Sequence, residues 1–312
     1  MAHHLCAHTN MRNLLLAVAL IFQAFLCGTT QAQQTFDDPG WTARAASSDR
    51  YWVFPDRVYG MQGGQALKLD VWKPRDRKDP APTLIYIHGG GWLFGDRSGA
   101  VPLFLPFIDA GWNVVNVEYR MSPVALAPAA VEDSRCALRW VIRNAKEYAI
   151  DTERLVITGH SAGGHLALTT ALLQPDDGMD RLCPGTEPLK VAAVVNWYGP
   201  TDVADLIDGP NTRDWAVSWI GGATDRAQVA RRVSPLTYVR KGAPPVITIH
   251  GDQDDVVPYS HGVRLHEALT KAGVPNEFVT IKGAGHGIFT AQQVTSAYEK
   301  IRAFLKSHMN VP

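Results

Sequence analysis

A chain of 312 residues, 46% apolar and 19% charged, has the make-up of one that folds around its own core, which excludes disorder, collagen and coiled coil. Lysine plus arginine and aspartate plus glutamate each total 30, so no basic surplus exists to hold a phosphate backbone or an anionic bilayer, and nucleic acid is excluded as an expected partner. Cys6, Cys27, Cys136 and Cys183 are too scattered for a disulfide scaffold or a repeated CxxC zinc site.

At the N-terminus, Arg12 precedes the apolar run Leu14 to Leu26, and Thr30-Gln31-Ala32 follow. This is the pattern of a secretory signal peptide. The run is too short for a bilayer span, which needs about 20 apolar residues, so no stable membrane insertion is expected once residues 1–32 are removed. The reading predicts a secreted or periplasmic protein with an extension over 33–50 and one catalytic domain over 51–310. Export would leave two cysteines in an oxidising compartment, either bridged as Cys136–Cys183 or as separate buried thiols.

Next, Arg57 to Tyr59 and Leu67 to Val71 alternate apolar and polar residues around Gly63-Gly64, the mark of a hairpin. The runs Thr83–Ile87, Val114–Val117, Leu155–Thr158, Val191–Asn196, Val246–Ile249 and Phe278–Ile281 are short and β-rich. Their near-continuous hydrophobicity predicts strands buried on both faces. Helical spacing falls between or after them, over Ala129–Ala149, Val263–Ala272 and Val294–Leu305. The alternation predicts an α/β fold, a mostly parallel central sheet covered by helices on both faces. The stretch Thr201–Arg240 is longer than an ordinary connection and is expected to form a small cap or pocket wall.

Chemistry concentrates where strands end. Leu155–Thr158 runs into Gly159-His160-Ser161-Ala162-Gly163-Gly164 and then a helix former, which is GxSxG in its strand, turn, helix setting, with Ser161 as the nucleophile. Thr83–Ile87 runs into His88-Gly89-Gly90-Gly91-Trp92. Glycines there let main-chain N–H groups approach a developing oxyanion, with Gly90, Gly91 and Ala162 as the donors. A serine hydroxyl needs a base held in one tautomer by an acid. His286, in Gly283-Ala284-Gly285-His286, supplies the base, and Asp252, Asp254 and Asp255 compete for the acid. The order serine, acid, histidine is that of α/β hydrolases.

Taken together, HGGGW, YRMSP, PAAVED, GHSAGGHLA, HGDQDDVVP and GAGH, in that order from Tyr59 to Leu305, resemble the esterase branch of the α/β hydrolases. The chain is similar to acetyl esterases, feruloyl esterases and hormone-sensitive-lipase-like carboxylesterases. The resemblance implies an α/β-hydrolase fold and places the acid on Asp254, the aspartate of HGxxDxxVP, leaving Asp252 and Asp255 as turn carboxylates. His160 stands where hormone-sensitive-lipase-like enzymes carry aspartate, which tilts the substrate toward short acyl or small aryl esters, feruloyl or acetyl esters of plant polysaccharide among them. A small-molecule or polysaccharide-linked ester is the expected partner, with no cofactor and no metal.

The triad alone does not separate an esterase from an amidase such as an arylformamidase or exopeptidase, and a binding module on the same fold is a third alternative. His88, His160, His165 and His250 are expected to pack or brace their loops. Trp92 and Tyr198, each following a sheet strand at the catalytic edge, are the expected substrate-binding rings.

Overall fold

The computed structural model describes residues 51–75, 77–122 and 124–309, so the expected signal peptide (1–32) and extension (33–50) lie outside the described residues. β1 (Tyr51–Gln62) and β2 (Gln65–Pro74) form the expected hairpin. Gly63 and Gly64 turn it with φ of 56° and 81°, the positive values a two-residue turn needs at both central positions. Along β2, Leu67, Leu69 and Val71 alternate inward and are buried.

β3 (Ala81–Ile87), β4 (Asn113–Val117), β5 (Ile150–His160), β6 (Ala193–Trp197), β7 (Val246–Gly251) and β8 (Asn276–Ile281) complete an eight-stranded sheet of order β1-β2-β4-β3-β5-β6-β7-β8. Only β2 runs against the others, since its pairings with β1 and β4 are antiparallel and all later ones are parallel. Every residue of β3, β4, β6 and β7 is buried, as strands covered on both faces must be.

Two helical layers do the covering. On one face α1 (Val101–Asp109) contributes Phe104, Phe107 and Ile108, and α7 (Ala291–His308) contributes Tyr298, Ile301 and Leu305. The other face is covered by α2 (Ala129–Arg143), α3 (Ala162–Leu172) and α6 (Ser260–Lys271), which bury Val141, Leu166 and Leu265 among others. This is the α/β-hydrolase architecture. The stretch 201–240 carries two short helices, α4 (Asp214–Ile220) and α5 (Arg226–Arg232), with 3-10 turns on either side.

Two helices depart from the sequence pattern. α1 was not foreseen because Val101–Asp109 is apolar almost all round and holds Pro102 and Pro106, leaving no 3.6-residue stripe to read. α2 stops at Arg143 rather than Ala149. Ala149 takes a φ of 52°, a left-handed geometry that no right-handed helix accommodates, as the chain turns into β5. Of the two cysteine arrangements, the bridge is formed: Cys136 of α2 is bonded to Cys183 with Cα atoms 5.5 Å apart. Beside it Arg139 reaches Asp180 and Glu187, each at 2.7 Å, so the long connection from α3 to β6 is pinned to α2.

Candidate active site

β5 delivers Ser161 to the mouth of α3. Its φ of 54° and ψ of −120° are strained for a residue with a Cβ, and the strain persists because the surroundings leave no slack. A Cβ on Gly163 would overlap the carbonyl oxygens of Ile87 and His88, and one on Gly159 would overlap Ile87 O and the backbone of Gly163. The Ser161 amide is in turn bonded to Trp197 O on β6, at 2.9 Å. Glycine at these places is a steric requirement, and the hydroxyl is lifted above the sheet as a result.

β3 neighbours β5, so the glycine loop lands beside the serine. A Cβ on Gly89 would lie 2.7 Å from His160 O and 3.5 Å from Ser161 Cβ. Gly90 turns with φ of 113°, where any side chain would strike Phe94 O. His88 braces the loop as expected: Nδ1–H donates to Gly89 O at 2.8 Å, and the ring stacks on Tyr119 at 4.4 Å. Gly90 and Gly91 therefore stand at the same sheet edge as Ala162, which opens α3 and whose N–H has no acceptor one turn earlier.

The base and acid come from the next two strand ends. His286, after β8, places Nε2 2.8 Å from Ser161 Oγ and Nδ1 2.7 Å from Asp254 Oδ2, after β7. Nδ1–H donates to the carboxylate, which leaves Nε2 free to accept the serine proton. The Asp254 side chain is fully buried yet saturated. Oδ1 accepts the amides of Val256 and Val257 at 2.9 and 2.8 Å, and Oδ2 accepts His286 Nδ1–H; His250 Nε2, which bonds Val257 O at 3.1 Å, lies 3.2 Å from Oδ2. Burial opposes ionisation, but the bonds from His250 and His286 outweigh it and hold the carboxyl below the usual aspartate range. The competing aspartates sit elsewhere: Asp252 caps the Gly283 amide at 2.7 Å, and Asp255 is exposed.

Trp92 and Tyr198 require a correction as substrate-binding rings. Both are completely buried at 0% exposure, so neither presents a surface to a ligand. Trp92 stacks on Trp219 at 3.9 Å and meets His165 edge-on at 4.8 Å, while Tyr198 meets the His286 ring edge-on at 4.6 Å. They support the site from behind. The rings and chains that do face outward here are Phe94, over Gly90 at 55% exposure, and Ile288, beside Gly285 at 63%. Half-buried Trp215 lies against Gly91.

His160 and His165 pack, as expected. His160 Nδ1 pairs with Tyr86 OH at 2.9 Å, and His165 Nε2 donates to Val233 O at 2.6 Å, tying α3 to the 201–240 stretch. Burial pushes both down to about 3. His250 is more than packing, because it touches the acid. Its signal was available, four residues ahead of Asp254 at the end of the same strand. Among the described residues no cluster of His, Cys, Asp and Glu is placed to hold a metal ion, and no helix is long and apolar enough to cross a membrane.

The chain is similar to known proteins in sequence and in fold. A BD-FAE family profile matches residues 69–269, and a phospholipase/carboxylesterase profile matches 232–308. Esterase LipQ of Mycobacterium tuberculosis is 32% identical over 77% of this chain, although the chain spans only 58% of LipQ's own length. Among solved structures, a truncated carbohydrate esterase from gut microbiota superposes with a TM-score of 0.69 at 27% identity, covering 83% of this chain and 98% of that one. Butyrate-bound esterase 2 of Thermogutta terrifontis gives 0.70 at 27% identity, covering 83% of this chain and 94% of that one.

Proposed function

The chain belongs to the BD-FAE family of α/β hydrolases, and from that premise we propose that it is a serine carboxylesterase acting on short-acyl or compact aryl esters through an acyl-enzyme. One observation carries the reading: Ser161 Oγ, His286 and Asp254 form a continuous relay with steps of 2.8 and 2.7 Å at the C-terminal edge of the sheet. Ser161 attacks the ester carbonyl while His286 Nε2 takes its proton. Asp254 stabilises the imidazolium, and the amides of Gly90, Gly91 and Ala162 receive the charge on the carbonyl oxygen. His286 then returns the proton to the leaving alcohol, and water repeats the sequence to release the acid.

The short-acyl preference is supported by the butyrate-bound relative and by the modest apolar rim that Phe94, Trp215 and Ile288 offer. A carbohydrate-linked ester is supported by the gut-microbial relative. We propose export with it, since the Leu14–Leu26 run has the form of a signal peptide and the Cys136–Cys183 bridge suits an oxidising compartment. N-terminal sequencing of secreted protein tests that, with a start at Gln33 expected and an intact Met1 or Met11 start contradicting it.

The function is tested with p-nitrophenyl acetate, butyrate, octanoate and palmitate, methyl ferulate, acetylated xylan and N-formylkynurenine. The reading expects kcat/KM to peak at acetate or butyrate and a fluorophosphonate to label the parent but not Ser161→Ala. A peak at palmitate, or higher kcat/KM on the formamide than on any ester, would overturn it.

A further inference from the structure

The two peptide groups that hold Asp254 are themselves held, on their far sides, by one side chain. Val256 N–H and Val257 N–H both donate to Asp254 Oδ1. The carbonyls of the same two peptide groups belong to Asp255 and Val256, and in a trans peptide they point away from the N–H. Both accept from Arg213: Nη2 donates to Asp255 O at 3.3 Å, and Nε donates to Val256 O at 3.0 Å. The guanidinium and the carboxylate thus clamp the same pair of peptide planes from opposite sides. Hydrogen bonds in series polarise one another, and a cation at one end of the chain strengthens the bond to an anion at the other.

Arg213 is not a mobile surface group. It is the residue before α4, its amide bonds to Leu206 O at 2.9 Å, and its own carbonyl accepts from Ala216 and Val217. Nη1 spends its hydrogens on Asn211 O and Thr212 O, so all four side-chain bonds go to main-chain carbonyls and none to a carboxylate. Lysine could not copy this, because an ammonium lacks the planar fork that reaches two carbonyls in a fixed geometry.

We propose that Arg213, from the 201–240 stretch, is a positioning residue for the triad acid, setting the place and orientation of the Asp254 carboxylate through the peptide groups 255–256 and 256–257. The inference rests on the triad reading above and deepens it. It makes the start of α4 part of the catalytic framework, so displacement of that helix would be felt at His286 through the acid.

A double-mutant cycle on purified, folded protein separates this from simple bracing. Arg213→Met is expected to lower kcat on p-nitrophenyl acetate roughly ten- to hundredfold, the scale of a small misplacement in a catalytic group, with KM within about twofold. Arg213→Lys should fall between Met and the parent. Because the effect passes through the acid, adding Arg213→Met to Asp254→Asn should cost less than about twofold more. Loss of under about threefold in kcat, a rise confined to KM, or the same fold-loss in the Asp254→Asn background would each overturn the proposal. Should Arg213→Met fail to fold, Arg213→Lys takes its place in the cycle, with a loss that vanishes in Asp254→Asn still required. If Asp254→Asn keeps parental activity, the triad reading itself has failed. If Asp254→Asn is crippled but the Arg213 loss multiplies with it, only this inference falls.

Discussion

Around Ser161 the chain packs backbone against backbone, with Gly159 and Gly163 pressed on the carbonyls of Ile87 and His88, whereas around Asp254 a carboxylate is held by amides and side chains gathered from several elements. The first arrangement can be built from neighbours in sequence and the two strands that flank β5. The second needs His250, His286 and, behind the peptide groups, Arg213, more than forty positions away. A nucleophile fixed by close packing tolerates no added atom. An acid fixed by a network tolerates changes in proportion to how many of its bonds they touch.

The sharpest test of that contrast is Asp254→Asn, which keeps the shape of the acid loop and removes its charge. We expect kcat to fall about 10⁴-fold with the fold intact, because His286 then loses the acceptor that fixes its tautomer. Steady-state rates on p-nitrophenyl acetate, with a circular dichroism melt as control, decide it. Loss of less than about tenfold would move the acid elsewhere.

Acid should next undermine the fold through four buried histidines. His160 and His165 flank the nucleophile and His261 and His266 lie on α6; all four are buried, which holds them down to about 3, 3, 4 and 4. In the unfolded chain each takes a proton near about 6.5. The unfolded state therefore binds more protons between these limits, so their stabilisation is complete above about pH 6.5 and is lost as pH falls toward 4. Each histidine's slope approaches roughly 1.4 kcal/mol per pH unit once pH is well below about 6.5, and all four act in the same direction. Urea midpoints at pH 7, 6 and 5 measure this, and an unchanged midpoint across that range would contradict it.

A change remote from both regions gives the control. Replacing Cys136 and Cys183 with serine opens a loop spanning a sequence separation of 47 and should cost about 4 kcal/mol on chain-entropy grounds, while kcat stays within about twofold. A large loss of kcat in folded protein would show that the bridge reaches the site. Gly163→Ala acts at the packed side. Its methyl has to displace the strand-end carbonyls of β3, which should cost about 3 kcal/mol and lower kcat together. Parental stability there would mean that the turn relaxes, and the packing account would be wrong.

What could be read in advance follows the same division. The strands, the hairpin glycines, Ser161, His286 and the glycine loop were legible because each is written in a local pattern with a physical reason for its residue types. α1 was hidden by uniform hydrophobicity and two prolines, and α2 is closed by Asn144, whose side-chain amide turns back onto Trp140 O, a cap that apolar spacing does not reveal. Trp92 and Tyr198 were placed near the site by strand position, but their full burial depends on Trp219, His165 and His286, which only the fold assembles. Arg213 carried no local signal at all. Its partners are carbonyl oxygens, which every residue has.

The smallest expected effect discriminates most finely within one turn. Three aspartates lie within four positions, and spacing alone could not choose among them. Asp252 caps Gly283 and joins the acid loop to the base loop, so its loss should cost stability by roughly 1.5–3 kcal/mol, as for a charged hydrogen bond. Asp255 is exposed, and its contribution to the site comes from its main-chain carbonyl, which Arg213 holds. Asp255→Asn keeps that carbonyl and alters only a solvated side chain. Activity should stay within about twofold and stability within about 0.5 kcal/mol, the ordinary range for a surface change. An Asp255→Asn loss approaching that of Asp254→Asn would mean that the working enzyme turns the loop by one residue, and the network around Asp254 would then describe a resting arrangement instead of the one that reacts.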